Sequence, residues 1–130
     1  MQIKSKIHFI GISGIGMSGI AELMLDKGYS IQGSDISVND NTKRLKKKGI
    51  KFFLGHNKKN IKNAHAIVYS SAIKKNNPEM IEAKRKNIPI ITRGKMLAHI
   101  VSLMKNIVVV GSKSASLKIF PTKLVVVVFP

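Results

Sequence analysis

The chain has 130 residues, with 23 Lys and Arg against 6 Asp and Glu, a net charge of +17, and no cysteine. That length suits one domain rather than a multidomain enzyme. A hydrophobic share of 44% argues against global disorder, and the lack of Cys excludes a disulfide scaffold, a thiolate zinc site and a Cys nucleophile.

Apolar runs alternate with helical patterns along the chain. A strand is predicted over 6–10, ending at Gly11. Ile15, Ile20, Leu23 and Met24 recur at helical spacing, and Gly28 closes that helix. A second strand over 29–32 leads into Gly33-Ser34-Asp35, and a helix starting at Asp40 or Thr42 stops before Gly49. Strands follow over 50–54 and 64–69. Asn77-Pro78-Glu79 is a helix start, with Asn as N-cap, Pro in the first turn and an acid beside it. A fifth strand over 88–92 precedes an amphipathic helix built on Met96, Leu97, Ile100, Val101 and Met104, and a sixth strand covers 107–110. The alternation predicts an α/β fold, a Rossmann-like three-layer domain with a mainly parallel sheet. Ligands of such sheets bind beyond the carboxyl ends of the strands. Those ends carry Gly11 to Gly16, Ser34-Asp35, Gly55-His56 and Ser70-Ser71.

The basic balance permits an anionic partner, but Lys, Ile and Asn supply 20, 19 and 9 residues, the drift an AT-rich genome produces. With no Trp, 2 Tyr and 5 Phe, a stacking platform for single strands is poorly supplied, so no nucleic-acid partner is expected. The first ten residues do not form a signal peptide, and the longest late apolar run, 124–129, is far below the roughly 20 residues of a membrane helix. A cytoplasmic protein without a membrane partner is expected.

Gly11-Ile-Ser-Gly-Ile-Gly16 sits between a strand and a helix, where glycines let backbone N–H groups approach a phosphate at the helix N-terminus. A dinucleotide fingerprint would place Gly at 13, where this chain has Ser13. Asp35, at the end of the second strand, is either a ribose acceptor or an ordinary cap. A nicotinamide-dinucleotide-binding oxidoreductase fragment and a non-catalytic basic binding module remain alternative readings.

The stretch Ile7-His-Phe-Ile-Gly-Ile-Ser-Gly-Ile-Gly-Met-Ser-Gly-Ile-Ala-Glu22 resembles the opening of the UDP-N-acetylmuramate–L-alanine ligases of the Mur ligase family, which act in peptidoglycan synthesis. Gly33-Ser-Asp35, Gly49-Ile50, Gly55-His56, Val68-Tyr-Ser-Ser-Ala-Ile73, Asn77-Pro-Glu79, Ile88-Pro-Ile-Ile91, Arg93 and Met96-Leu97 follow in that family's order. The resemblance covers 6–111 and implies a Rossmann-like N-terminal domain over 1–105 that binds UDP-N-acetylmuramate. It implies Gly11, Ser13, Gly14, Ile15 and Gly16 around the diphosphate, Ser34 and Asp35 near the uridine, and His56, Ser70 and Ser71 as nucleotide or sugar contacts. His56 is equally readable as a solvent-facing loop histidine, and Arg93 either meets an acidic group or caps a turn. His8, on a buried strand, reads as structural. No catalytic residue and no metal ligand are expected.

The pattern departs from the family at Gly111. The full-length family continues into an ATP loop, G-[ST]-H-G-K-T-T, and uses ATP with Mg²⁺. Here Gly111, Ser112 and Lys113 form a degenerate remnant: the second glycine is missing and Lys113 comes two places early. Residues 106–130 are therefore expected to hold an orphan first strand of a missing ATPase domain plus an aberrant tail, as a frameshift or partial gene would leave. The 124–129 run is expected to pair with that strand or with another molecule. The expected outcome is a UDP-sugar-binding chain with no ligase activity and no cofactor of its own.

Overall fold

The computed structural model of the chain describes residues 5–103, 107–108 and 125–126. Two compact units divide it, Met1–Met96 and Leu97–Pro130. The first unit holds a five-stranded parallel sheet. Its strands are β1 (Lys6–Ile10), β2 (Ser30–Asp35), β3 (Lys51–Leu54), β4 (Ala66–Tyr69) and β5 (Ile90–Thr92), in the spatial order β3-β2-β1-β4-β5. The order reverses between β1 and β4, which creates a crevice at the carboxyl ends of those strands. Helices α1 (Ile15–Asp26) and α2 (Asp40–Lys47) pack beside each other, and α3 (Pro78–Arg85) packs against a 3-10 helix, Lys58–Ile61.

Side-chain alternation sorts the sheet into two faces. Ile10 and Ile67 join Ile61, Ala64, Met80 and Ala83 in the core beneath α3. On the other face Ile7, Phe9 and Ile31 are buried, and α1 contributes Met17, Ile20, Ala21 and Met24. Full burial of a large apolar side chain stabilises by about 1.5–3 kcal/mol, so these two layers carry the fold. The helical spacing seen in the sequence located α1, and Ile20 and Met24 of the expected face are buried, but the other two residues of that face are not. Ile15 is 88% exposed and Leu23 39%, while Met17 and Ala21 take their place in the core.

The second strand is longer than expected. It continues through Gly33-Ser34-Asp35, pairing Gly33 with Phe9 and Phe52 and Ser34 with Ile10 and Phe53. Gly33 permits this because the loop after β1 folds back over it. A Cβ there would stand 2.5 Å from Ile12 Cδ1 and 2.8 Å from the Phe9 carbonyl oxygen. The backbone oxygen cannot rotate away. Gly33→Ala is therefore expected to destabilise the chain by about 1–3 kcal/mol through overpacking, measured by urea denaturation. An unchanged midpoint would show that the loop moves freely.

Turn chemistry places the other elements. Gly28 and Gly49 follow α1 and α2 with φ of 98° and 91°, each closing its helix with backbone bonds to the last turn. Asn39 caps α2 in a capping box with Thr42. Asn77 caps α3, with Pro78 in its first turn. Glu22 of α1 meets Arg44 at 2.7 Å and Lys48 at 2.5 Å, tying α1 to α2.

In the second unit, helix α4 (Arg93–Leu103), begun in the first, ends, and β6 (Ile107–Val108) pairs in parallel with β7 (Val125–Val126). Among the described residues no helix is long and apolar enough to cross a membrane, and no group of His, Asp and Glu is placed to hold a metal ion. Gly111, Ser112 and Lys113 lie outside the described residues.

Candidate functional site

The crevice at the switch point is a cleft of about 510 Å³ lined by Gly11, Ser13, Gly14, Asp35, Ile36, His56 and Ser70, together with Ala72, Ile73, Lys74, Asn76 and Asn77. Gly11 turns the chain out of β1 with φ of 84°, a left-handed conformation that favours glycine. Its N–H and that of Ile12 both donate to the Ser34 carbonyl, at 2.8 and 3.1 Å. The loop then enters α1 through Gly14, and no side chain caps the N–H groups of the first turn. No acidic residue stands in that turn, so the first-turn N–H groups present the positive end of the helix dipole. The Arg93 guanidinium packs over Gly16: a Cβ there would lie 2.6 Å from its Nη1.

Ser13 is held from two sides. Its backbone N–H donates to Asp35 Oδ2 at 3.0 Å, and its hydroxyl donates to the same oxygen. Its carbonyl accepts from Asn39 Nδ2 at 3.2 Å and Asn41 Nδ2 at 2.9 Å. Asp35 Oδ1 accepts from the Ile36 N–H at 2.7 Å. Asp35 therefore faces the loop as its anchor, and the serine in place of the second fingerprint glycine supplies the group that it anchors.

Under the cleft lies a buried polar cluster. His8, Ser34 and Glu79 are all 0% exposed. Glu79 Oε1 accepts from His8 Nε2 at 2.6 Å and from the Ser34 hydroxyl at 2.6 Å. Glu79 Oε2 accepts from the Asn57 N–H at 3.1 Å and Asn60 Nδ2 at 2.8 Å. Burial opposes ionisation of Glu79, but the hydrogen bonds from His8, Ser34 and Asn60 and the attraction of His8 outweigh it and hold its pKa at about 2. No buried side-chain nitrogen or oxygen among the described residues lacks a partner.

The residues expected at the site fall into three groups. Gly11, Ser13, Gly14, Asp35, His56 and Ser70 line the cleft. Ile15 and Gly16 lie at the mouth of α1, outside that lining, while Ser71 lines a neighbouring cleft with Lys75, Lys84 and Arg93. Ser34 lies beneath the surface, because β2 runs on through it, and its side chain reaches the cleft through His56, whose Nδ1 is 2.9 Å from its hydroxyl. Sequence reasoning took Glu79 for a helix-start acid and missed Gln32 and Asn60 altogether. The available signal was His8, a titratable residue in an otherwise apolar strand, which required buried polar partners.

Residues 6–105 match the model of the Mur ligase family, catalytic domain. The UDP-N-acetylmuramate–L-alanine ligase of Aquifex aeolicus is 58% identical over 107 residues, which are 82% of this chain and 24% of that protein. The enzyme of the same name from Pelagibacter ubique is 61% identical over 106 residues, 82% of this chain and 23% of its own. The crystal structure of UDP-N-acetylmuramate-alanine ligase MurC from Thermotoga maritima superposes with a TM-score of 0.75 at 33% identity, covering 78% of this chain and 24% of that one. The chain thus spans about a quarter of the length of the curated relatives that it matches. With the glycine loop, the switch-point cleft and the family pattern coinciding over the same hundred residues, the chain belongs to the Mur ligase family.

Proposed function

We propose that this chain is the UDP-N-acetylmuramate-binding domain of the ATP-dependent ligase that adds L-alanine in peptidoglycan synthesis. The carrying observation is an identity of 58–61% with ligases of that name, over the residues that build the cleft. In this reading the diphosphate lies against Gly11, Ser13, Gly14, Ile15 and Gly16 at the positive end of α1, with Arg93 beside it. The uridine lies toward Asp35 and His56, and Ser70 and Ser71 meet the sugar side. Ser34 contributes from below by holding His56. The nicotinamide alternative is disfavoured by Asp35, whose two oxygens serve Ser13 and Ile36 rather than standing open to a ribose.

The ligase reaction needs ATP and Mg²⁺, and Gly111, Ser112 and Lys113 do not fit the phosphate loop that would hold them. No step through ATP is assigned to this chain. It is proposed to bind the UDP sugar in the cytoplasm without joining it to alanine. Calorimetric titration of the 130-residue chain with UDP-N-acetylmuramate and, separately, with NAD tests the reading. Binding of the UDP sugar and none of NAD is expected; preference for NAD sinks it. ATP-dependent alanine transfer by the chain would sink the inactivity. Affinity for DNA that falls steeply with salt would instead favour a basic binding module.

A further inference from the structure

The buried cluster forms a hydrogen-bond chain whose direction can be followed proton by proton, and it ends in the cleft. It starts at a group of unambiguous polarity, the Asn60 backbone carbonyl, which can only accept. Gln32 Nε2 lies 2.7 Å from it and so is the amide nitrogen, donating. The same nitrogen lies 2.9 Å from His8 Nδ1 and gives that atom its second hydrogen. His8 Nδ1 is thus an acceptor, and its proton sits on Nε2, directed at Glu79 Oε1 at 2.6 Å. Glu79 receives four donors, two on each oxygen, which leaves no proton for it to give. The single hydroxyl hydrogen of Ser34 is therefore spent on Glu79. What Ser34 offers His56 Nδ1, 2.9 Å away, is a lone pair.

We infer that the buried chain from Asn60 through Gln32, His8, Glu79 and Ser34 fixes a proton on Nδ1 of His56, so that in the neutral ring it is Nε2 that presents a hydrogen-bond acceptor to the cleft. The ligand atom the neutral ring reads is then an N–H or O–H donor and not a phosphate oxygen. Resting on the UDP-sugar reading, the inference assigns that donor to the nucleoside, because His56 follows β3 at the end of the sheet next to Asp35. Free histidine favours the opposite tautomer, with the proton on Nε2, so the arrangement departs from the default. The lowered pKa of Glu79, which keeps it ionised, agrees with its role as a pure acceptor. Glu79 Oε2, 3.6 Å from Nδ1, faces His56 from below, and Asp35 and Lys74 are the other charged groups of the cleft lining. Ser34 and Glu79 act here as positioning residues.

Long-range ¹H–¹⁵N correlation spectra of the ¹⁵N-histidine-labelled chain at neutral pH test the assignment without any ligand. The chain has four histidines, and His56→Gln identifies the signal. His56 is expected with Nδ1 protonated and Nε2 bare, and His8 with the reverse. Ser34→Ala, which removes the lone pair with little change of volume, is expected to move His56 to the Nε2–H form. A protonated Nε2 in the unaltered chain overturns the inference, as does a His56 pattern that Ser34→Ala leaves unchanged. The unaltered spectrum decides alone if that variant does not fold.

Calorimetry with UDP, N3-methyl-UDP, 2′-deoxy-UDP and 3′-deoxy-UDP separates the imide from the ribose hydroxyls. One modification is expected to weaken binding about tenfold, the effect of one lost hydrogen bond, and to lose that effect in His56→Ala. If UDP binds and every modification is neutral, the inference falls while the UDP-sugar reading stands. If UDP does not bind, that reading falls, and the spectra still decide the tautomer.

Discussion

Glu79→Ala is expected to destabilise the chain by about 3–5 kcal/mol, since it deletes one member of a buried charged network and leaves the others unsatisfied. His8 Nε2, the Ser34 hydroxyl, the Asn57 N–H and Asn60 Nδ2 would all lose their acceptor at once. His8 and Ser34 cannot turn to water, because both are fully buried. Glu79→Gln keeps the volume but aims an amide NH₂ at two of those donors, so a smaller loss of about 1–3 kcal/mol is expected. Urea denaturation at neutral pH checks both, and equal midpoints for all three chains would show that the cluster carries no stability.

The same carboxylate sets a pH dependence with a definite sign. Its pKa is about 2 in the fold against 4.5 in the unfolded chain. Between those values the unfolded chain binds a proton that the native state refuses. Stability therefore rises with pH across the window and is lost as pH falls from 4.5 toward 2. Glu82 of α3, paired with the exposed Arg85, titrates in the same range because the Arg85 hydrogen bond holds it near 2. With Arg85 exposed, that contribution is screened by salt. The acid loss that survives in high salt, and disappears in Glu79→Gln, belongs to the buried site.

How much of this was legible in the sequence follows from the range of each interaction. The parallel sheet was readable because strand–helix alternation is a local pattern and the glycines at 28 and 49 mark where helices end. The glycine loop was readable for the same reason. The burial of Glu79 was not, because its position after Asn77-Pro78 already has a sufficient local account: a carboxylate in a first helical turn. Its strongest partner, His8, lies 71 residues away, and no short-range pattern reports a contact at that separation. The solvent-facing Ile15 has a related cause. Its spacing fits an apolar face, but it stands in the first turn of α1, at the ligand edge where the sheet no longer covers the helix. Ser34 illustrates a third case: its place beside Asp35 suggested a ligand contact, and the extension of β2 allowed by Gly33 turned its side chain into the interior.

Asp35→Ala is expected to weaken UDP-N-acetylmuramate binding roughly 10–100-fold, although in the proposed pose its carboxylate gives its oxygens to the protein. The loop between β1 and α1 must keep its N–H groups aimed outward to receive a diphosphate, and preorganisation of that kind is what makes such sites bind. Ser13 is where the loop is fixed. Asn39 and Asn41 hold its carbonyl, and Asp35 alone holds its N–H and hydroxyl. Removing Asp35 releases one side of that clamp and leaves the loop to be ordered by the ligand at the ligand's expense. Ser13→Ala deletes the hydroxyl bond but keeps the N–H bond, so a smaller loss is expected. In the double variant Asp35→Ala with Ser13→Ala, the second change should add almost nothing, because its partner has gone. Additive losses would mean that the two residues act on the ligand separately. An Asp35→Ala chain that binds the UDP sugar as tightly as the unaltered one would show that the α1 end is organised without the clamp.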